Sequence, residues 1–589
     1  MRQFFKIFFA SLLAFIVFVV IGIFIMAAWV AGVASSLSSD KPTVGSKAVL
    51  YLDLSQAIAE QGKDNPLSGL SNNDEYDSPG LYDMVKLLQY AKTDTSVKGI
   101  YIKCADNANG FATSDELRAA IIDFKTSNKF VYAYADVISQ RAYLVANAAN
   151  KIYCNPKGGL EWKGFVLQYM FFKQTLDKLG IEPQIFYAGK FKSATEPFRT
   201  DRMTDANKLQ SSVFLNDLYN RFLIETSEAR HVDTASLHQY AATMAIQTAE
   251  DAVKYKLIDD VMYDDEVKQE IKQRMGLTDK DKINFIEAGK YAKAVNYKSN
   301  SGENRIALIF AQGDIVDGKG EKGQIGGDTY RSLIRTARMD DKVKAIVIRV
   351  NSGGGSAMAS ENMWREISLA RKQKPVVLSF GDYAASGGYY MSCGADSIFT
   401  SANTLTGSIG VFSIVPNLQK FFNDKIGITF DGVKTSEYAD MPTASRPLND
   451  AEKRFLQNDV DSIYHTFLGR VSEGRKINIA LVDSIGQGRV WTGTKGLGLG
   501  LVDKIGSLQD AINCAARMGK LGNAYRIKEY PEPLSWWESL MGGYKKSMQA
   551  KAMQEELGDE GMTIYSNLKK IKQSVGSAQA RLPFVMDIR

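Results

Sequence analysis

Gly381-Asp-Tyr-Ala-Ala-Ser-Gly-Gly-Tyr-Tyr390, entered from the apolar run Pro375-Val-Val-Leu-Ser-Phe380, reads as a buried strand that turns tightly into a helix. Ser386 stands at the turn, with Gly387 and Gly388 directly after it. A serine placed there has its hydroxyl beside free backbone N–H groups and the positive end of a helix. The two glycines let another backbone or a substrate come close. An acyl-transfer nucleophile needs this setting, an exposed hydroxyl beside donors for an oxyanion. The competing reading is a serine that caps the helix, with glycines for close packing.

Working outward, a second copy of the pattern lies 246 positions earlier (344 − 98). Ala91-Lys-Thr-Asp-Thr-Ser-Val-Lys-Gly-Ile100 lies on Ala337-Arg-Met-Asp-Asp-Lys-Val-Lys-Ala-Ile346. The same offset pairs Asp136 with Asp382, Tyr143 with Tyr389, Ile152 with Ile398 and Gly164 with Gly410. Two copies are too few for a solenoid, so the chain reads as two similar domains. In the first copy Ala48–Leu54, Gly99–Cys104 and Phe130–Tyr134 read as strands. Leu81–Leu88 and Ser114–Phe124 read as helices, the latter capped by Ser114. This alternation predicts an α/β fold with mostly parallel strands.

The copies differ where chemistry is expected. Ser386 falls on Gln140, and Gly353-Gly354-Gly355 falls on Asn107-Ala108-Asn109. The first copy offers lysines instead, in Gly189-Lys-Phe-Lys-Ser-Ala-Thr-Glu-Pro-Phe198, where the second copy has Ala439 opposite Lys192. The three histidines are scattered, so the base for Ser386 has to be sought elsewhere. A buried lysine that is neutral at working pH can serve. A base from one half and a nucleophile from the other accounts for both losses. Strand alternation places Lys190 and Lys192 on one side with Phe191 opposite, and both also read as ordinary surface lysines, so spacing does not choose. The Gly353–Ser356 turn, between the strand Ala345–Val350 and a helix, offers N–H donors for an oxyanion together with Gly387. It lacks the GxxxxGK[ST] pattern of a nucleotide loop.

Length and composition bound the rest. The 589 residues exceed one core; 45% are hydrophobic and 23% charged, as in a globular protein. A net charge of +6 without charge blocks gives nucleic-acid binding no support. Cys104, Cys154, Cys393 and Cys514 form no CxxC pair and read as buried thiols, and no spacing suggests a metal. From Ile7 to Val33, 27 residues (33 − 7 + 1) carry no charge, enough to span a bilayer and longer than a cleaved leader's apolar region. Arg2 and Lys6 precede the run, which predicts a cytoplasmic N-terminus and an extracytoplasmic body. Lys293–Arg305 reads as a linker, Trp536-Trp537 as an interface or packing pair, Lys545–Val575 as an amphipathic helix and Leu582–Met586 as an edge strand.

Taken together, Gly381–Tyr389, Leu405-Thr-Gly-Ser-Ile-Gly-Val-Phe412, Lys192-Ser-Ala-Thr-Glu-Pro-Phe198 and Asn351–Ser356 resemble the signal peptide peptidase A family in its long, duplicated, membrane-anchored form. The resemblance covers nearly the whole chain. It implies two tandem βαβ spiral domains of the Clp protease and crotonase type after one transmembrane helix. Its Ser/Lys dyad falls on Ser386 and Lys192, and a second serine that orients the lysine falls on Ser408. Oxyanion donors fall on Gly354, Gly355 and Gly387. Gly353 departs from the family's usual Ser-Pro-Gly-Gly turn, which makes that turn less rigid. The implied activity is endoproteolysis of remnant signal peptides, without cofactor, by a homo-oligomer, a tetramer, anchored in a bacterial inner membrane with a periplasmic body. The expected division is 1–45 for stub, anchor and linker, 46–300 for the repeat with the lysine, 301–530 for the repeat with the serine, and 531–589 for the tail. Two rivals stand beside it: a crotonase-like acyl-CoA enzyme and a membrane-tethered scaffold without activity.

Overall fold

The computed structural model describes residues 2–37, 42–62, 79–298, 302–532, 577–582 and 587–588. The apolar N-terminal run forms the helix Arg2–Leu37. Its Lys6–Ile25 stretch has a mean hydropathy of 3.0 and is long and apolar enough to cross a membrane.

Two α/β units follow. The first is built on a parallel sheet in the order Asp260–Val261, Lys151–Leu160, Phe130–Ile138, Val97–Lys103, Ala48–Asp53 and Asn284–Glu287. The second repeats its centre with Ser397–Thr400, Val376–Ala385, Val343–Ser352, Arg305–Gln312 and Arg526–Tyr530. Three corresponding strands start 246 residues apart (397 − 151, 376 − 130, 343 − 97), and so do the helices Phe111–Lys125 and Ala357–Arg371 (357 − 111). The duplicated α/β architecture is therefore a property of the fold. These strands are buried on both faces, which is why they read as unbroken apolar runs such as Ala345–Val350. Tyr143 and Tyr389 earn their shared place structurally: their hydroxyls donate to Leu257 O at 2.5 Å and Leu501 O at 2.8 Å.

A further six-stranded sheet joins the halves, in the order Gln324–Gly326, Asp314–Val316, Gly354–Ser356, Gln579–Arg581, Val411–Asn417 and Glu182–Ala188. Its last strand comes from the first repeat and pairs antiparallel with the second, Ala188 opposite Val411. Polar contacts lock the same junction. Arg349, fully buried, reaches Glu60 at 2.8 Å and Glu116 at 2.6 Å, both from the first repeat. Asp382 accepts from Thr113 N at 2.9 Å and Thr113 Oγ1 at 2.7 Å, at the start of the helix Phe111–Lys125.

Some expectations are corrected. The helix expected to be capped by Ser114 starts at Phe111, and Ser114 is buried inside it, accepting from Asn107 Nδ2 at 2.9 Å. Part of the expected linker is the helix Ala288–Ala294. The edge strand expected at Leu582–Met586 is displaced: the strand is Gln579–Arg581, and it lies inside a sheet. The Trp536-Trp537 pair and the Lys545–Val575 helix lie outside the described residues. The four cysteines are buried, free thiols.

Candidate active site

The strand Val376–Ala385 carries Ser386 to the N-terminus of the helix Gly387–Ser392. Ser386 holds φ 54° and ψ −114°, a conformation that L-residues rarely adopt. Its side chain makes no capping bond, so the capping reading of this serine does not hold. Its N–H donates to Gly407 O at 2.8 Å, and its carbonyl accepts from Tyr390 N at 2.7 Å. The strained backbone is thus pinned on both sides and turns the hydroxyl away from its own helix.

Lys192 arrives from the other repeat. The strand Glu182–Ala188 ends before it, and the chain turns through Gly189 into a short 3₁₀ turn at Ser193–Thr195. The strand alternation expected for Lys190 and Lys192 therefore does not apply. Lys190 is exposed, its Nζ 5.9 Å from the centre of the Phe191 ring. Lys192 is 1% exposed, and its Nζ lies 2.7 Å from Ser386 Oγ, 3.1 Å from Ser408 Oγ and 3.3 Å from Ser408 O. Both side chains belong to one chain. Burial pushes the lysine amine well below its usual range of about 10.5. At neutral pH this favours a free amine whose lone pair can take the proton of a hydroxyl at this distance.

Ser408 follows the strand Leu405–Gly407, also at positive φ (50°), and its N–H donates to Arg489 O at 2.7 Å. The loop Gly486–Arg489 clamps the lysine as well: Phe191 N donates to Gln487 O at 2.7 Å. A Cβ on Gly488 (φ +77°) would stand 2.6 Å from Lys192 N. Gln210 bonds Phe191 O and Ser193 Oγ, both at 3.0 Å, and accepts from Val490 N at 3.2 Å. Sequence reasoning missed Gln210, Gly488 and Arg489. Of these only the pair of glycines in Gly486-Gln-Gly488 left a signal, that of a tight turn.

The glycine turn lies against the serine. Gly354 and Gly355 hold φ +99° and +157°. Gly354 N–H donates to Ser352 Oγ at 3.1 Å. A Cβ on Gly354 would stand 2.7 Å from Gly387 N, and one on Gly387 would stand 3.1 Å from Gly355 N. The Gly355 and Gly387 amides therefore converge beside Ser386. At the matching place in the first repeat, Asn107 Nδ2 donates to Arg141 O at 3.0 Å and Gln140 Nε2 to Gly164 O at 2.9 Å. Amide side chains fill there the space that the glycines leave open in the second repeat.

A duplicated α/β fold that presents a serine at a strand-to-helix turn, against a buried lysine and converging amides, is built as a serine hydrolase. The sequence pattern of Peptidase family S49 matches residues 123–278 and 368–522, one stretch in each repeat. Protease 4 of Salmonella typhi is 33% identical over 533 residues, covering 87% of this chain and 85% of the relative. Protease 4 of Haemophilus influenzae is 33% identical over 504 residues, covering 82% and 81%. The chloroplastic serine protease SPPA of Arabidopsis thaliana is 30% identical over 509 residues, covering 85% and 74%. This chain belongs to Peptidase family S49 and is a serine peptidase.

Proposed function

We propose that this chain is a membrane-anchored endopeptidase working with a Ser/Lys dyad assembled from its two repeats. Ser386 Oγ attacks the scissile carbonyl carbon while the neutral Lys192 amine takes its proton. The resulting ammonium then protonates the leaving amine. Water, activated by the same amine, releases the acyl group from Ser386. Ser408 orients Lys192 through its hydroxyl and carbonyl. Gly355 and Gly387 donate to the oxyanion. Gly354, whose N–H is engaged by Ser352, holds the turn in its glycine-only conformation. The observation that carries this reading is the 2.7 Å contact between a fully desolvated lysine and a strained serine.

The substrate class follows from the tether. A site held near a bilayer by the Arg2–Leu37 helix meets apolar peptides left in or near the membrane, of which cleaved signal peptides are the commonest. We assign the body to the periplasmic side, from the positive residues before the span, and the working form to a homo-oligomer, a tetramer. The test is hydrolysis of an apolar, signal-peptide-like fluorogenic peptide by the chain in detergent. The parent is expected to cleave it, with Ser386→Ala and Lys192→Ala each losing about 10⁴-fold or more. An active Lys192→Ala chain overturns the dyad. A parent that cleaves charged, soluble peptides in preference overturns the substrate class.

A further inference from the structure

The cleft beside the dyad is filled by the chain itself. Gln579–Arg581 lies between Gly354–Ser356 and Val411–Asn417 and runs antiparallel to both. It pairs Arg581 with Gly354, Ala580 with Gly355, and Gln579 with Ser356 and Phe412. The ladder continues past both ends: Leu582 N donates to Gly353 O at 2.8 Å, and Ala357 N donates to Ala578 O at 3.1 Å.

The position of one carbonyl decides what this strand is doing. Ala580 O stands 2.1 Å from where a Gly354 Cβ would be and 3.0 Å from where a Gly387 Cβ would be. Gly387 N lies 2.7 Å from the first of these points, and Gly355 N lies 3.1 Å from the second. The carbonyl therefore enters the space that only glycine leaves open, among the amides assigned to the oxyanion. Ala580 is fully buried. Alternation along a strand puts Ala578 on the same side, so the segment offers a small side chain at every second position. On the far side of the Ala580–Arg581 bond, Leu582 joins Phe214, Leu218, Ala385, Leu405 and Val490 in an apolar cluster, and Arg581 pairs with Asp314. Beyond it, Asp587–Ile588 pairs with Leu167–Gln168.

We propose that Ala578–Leu582 is a substrate-like strand seated in the peptide cleft of its own chain, with Ala580 presented to Ser386, and that peptides enter only by displacing it. The proposal rests on the endopeptidase reading above and adds the regulation and side-chain preference of that site. Strand addition supplies the main-chain bonds, and the buried alternate positions select small residues. Anchors on both sides of the presented bond hold the segment in place.

The experiment reads binding without turnover, in the full chain carrying Ser386→Ala. The probe is a fluorescein-labelled peptide of the chain's own sequence Ser-Ala-Gln-Ala-Arg-Leu. Adding Ala580→Glu puts a carboxylate at a fully buried position and expels the segment. A cleft blocked nine-tenths of the time or more predicts probe binding at least about tenfold tighter in the double variant. A chain ending at residue 576 is expected to match it. Equal affinity in all three proteins overturns the proposal. Because the probe is bound and not cleaved, this result is independent of the hydrolysis test. A parent that hydrolyses peptides while all three affinities agree retains the endopeptidase reading and loses the plug.

Discussion

Ser386 and Lys192 are both costly residues. The serine sits at φ 54°, and the lysine is buried with its amine pushed well below its usual range. Folding holds the amine neutral over a pH range in which the unfolded chain carries a proton on it. The unfolded state then binds more protons, so stability rises with pH across that window, and Lys192 burial opposes folding at neutral pH. Lys192→Met is therefore expected to lose hydrolysis by about 10⁴-fold or more while the melting temperature stays level or rises, read by an activity assay beside a thermal melt. A lower melting temperature contradicts this view of the lysine. At Gly354, φ +99° leaves no room for a side chain, since a Cβ would stand 2.1 Å from Ala580 O. Gly354→Ala is expected to cost at least about 1–2 kcal/mol in chemical denaturation and to abolish turnover. At this scale Ser386 was legible because its counterpart Gln140 broke an otherwise shared pattern. The choice of Lys192 over Lys190 was not legible from spacing. It depends on where the strand Glu182–Ala188 stops, and turn geometry set by distant Gln487 and Gly488 decides that.

The element that makes the site is the strand Glu182–Ala188, which leaves its own repeat to pair with Val411–Asn417. Periodicity identified the strands but could not say which sheet each one joins, because pairing partners hundreds of residues apart leave no local pattern. The same limit displaced the last strand. An apolar run, Leu582–Met586, was read as the strand, whereas Gln579–Arg581 is the paired segment because it meets the glycine turn through backbone groups. Ser114 was misread for a related reason. A good capping residue is overruled when the helix starts at Phe111 and Asp382 of the other repeat supplies the acceptor at its N-terminus. The loop Gly486–Arg489 holds the lysine turn from outside. Gly488→Ala, at φ +77° and 2.6 Å from Lys192 N, is expected to shift the amine and lower kcat by about 100-fold, with the fold retained by circular dichroism. An unchanged kcat would mean that this loop does not position the lysine.

At the scale of the whole molecule, duplication has freed one copy of the site to become structure. Asn107, Asn109 and Gln140 plug the first repeat's site with hydrogen-bonded amides. The second repeat keeps the open glycines. The division works only if the halves stay in register, and Arg349 with Glu60 and Glu116 sits at that junction. Arg349→Leu leaves two buried carboxylates without their cation and is expected to destabilise the body by about 3–5 kcal/mol in denaturant titration. A loss below about 1 kcal/mol would show that other contacts set the register. Two domains, an α/β fold and an anchor were readable from the 246-residue offset and the uncharged run. The strand exchange between the repeats was not, since it is a contact between domains.

The most direct test of the central claim is the pH dependence of kcat/KM, set beside that of a Lys192→Ala chain. A neutral lysine base predicts a rate that rises with pH and levels off at a midpoint well below the ordinary lysine value of about 10.5. In Lys192→Ala that limb disappears along with the activity. A midpoint at the ordinary lysine value, or the same limb surviving without Lys192, contradicts the account.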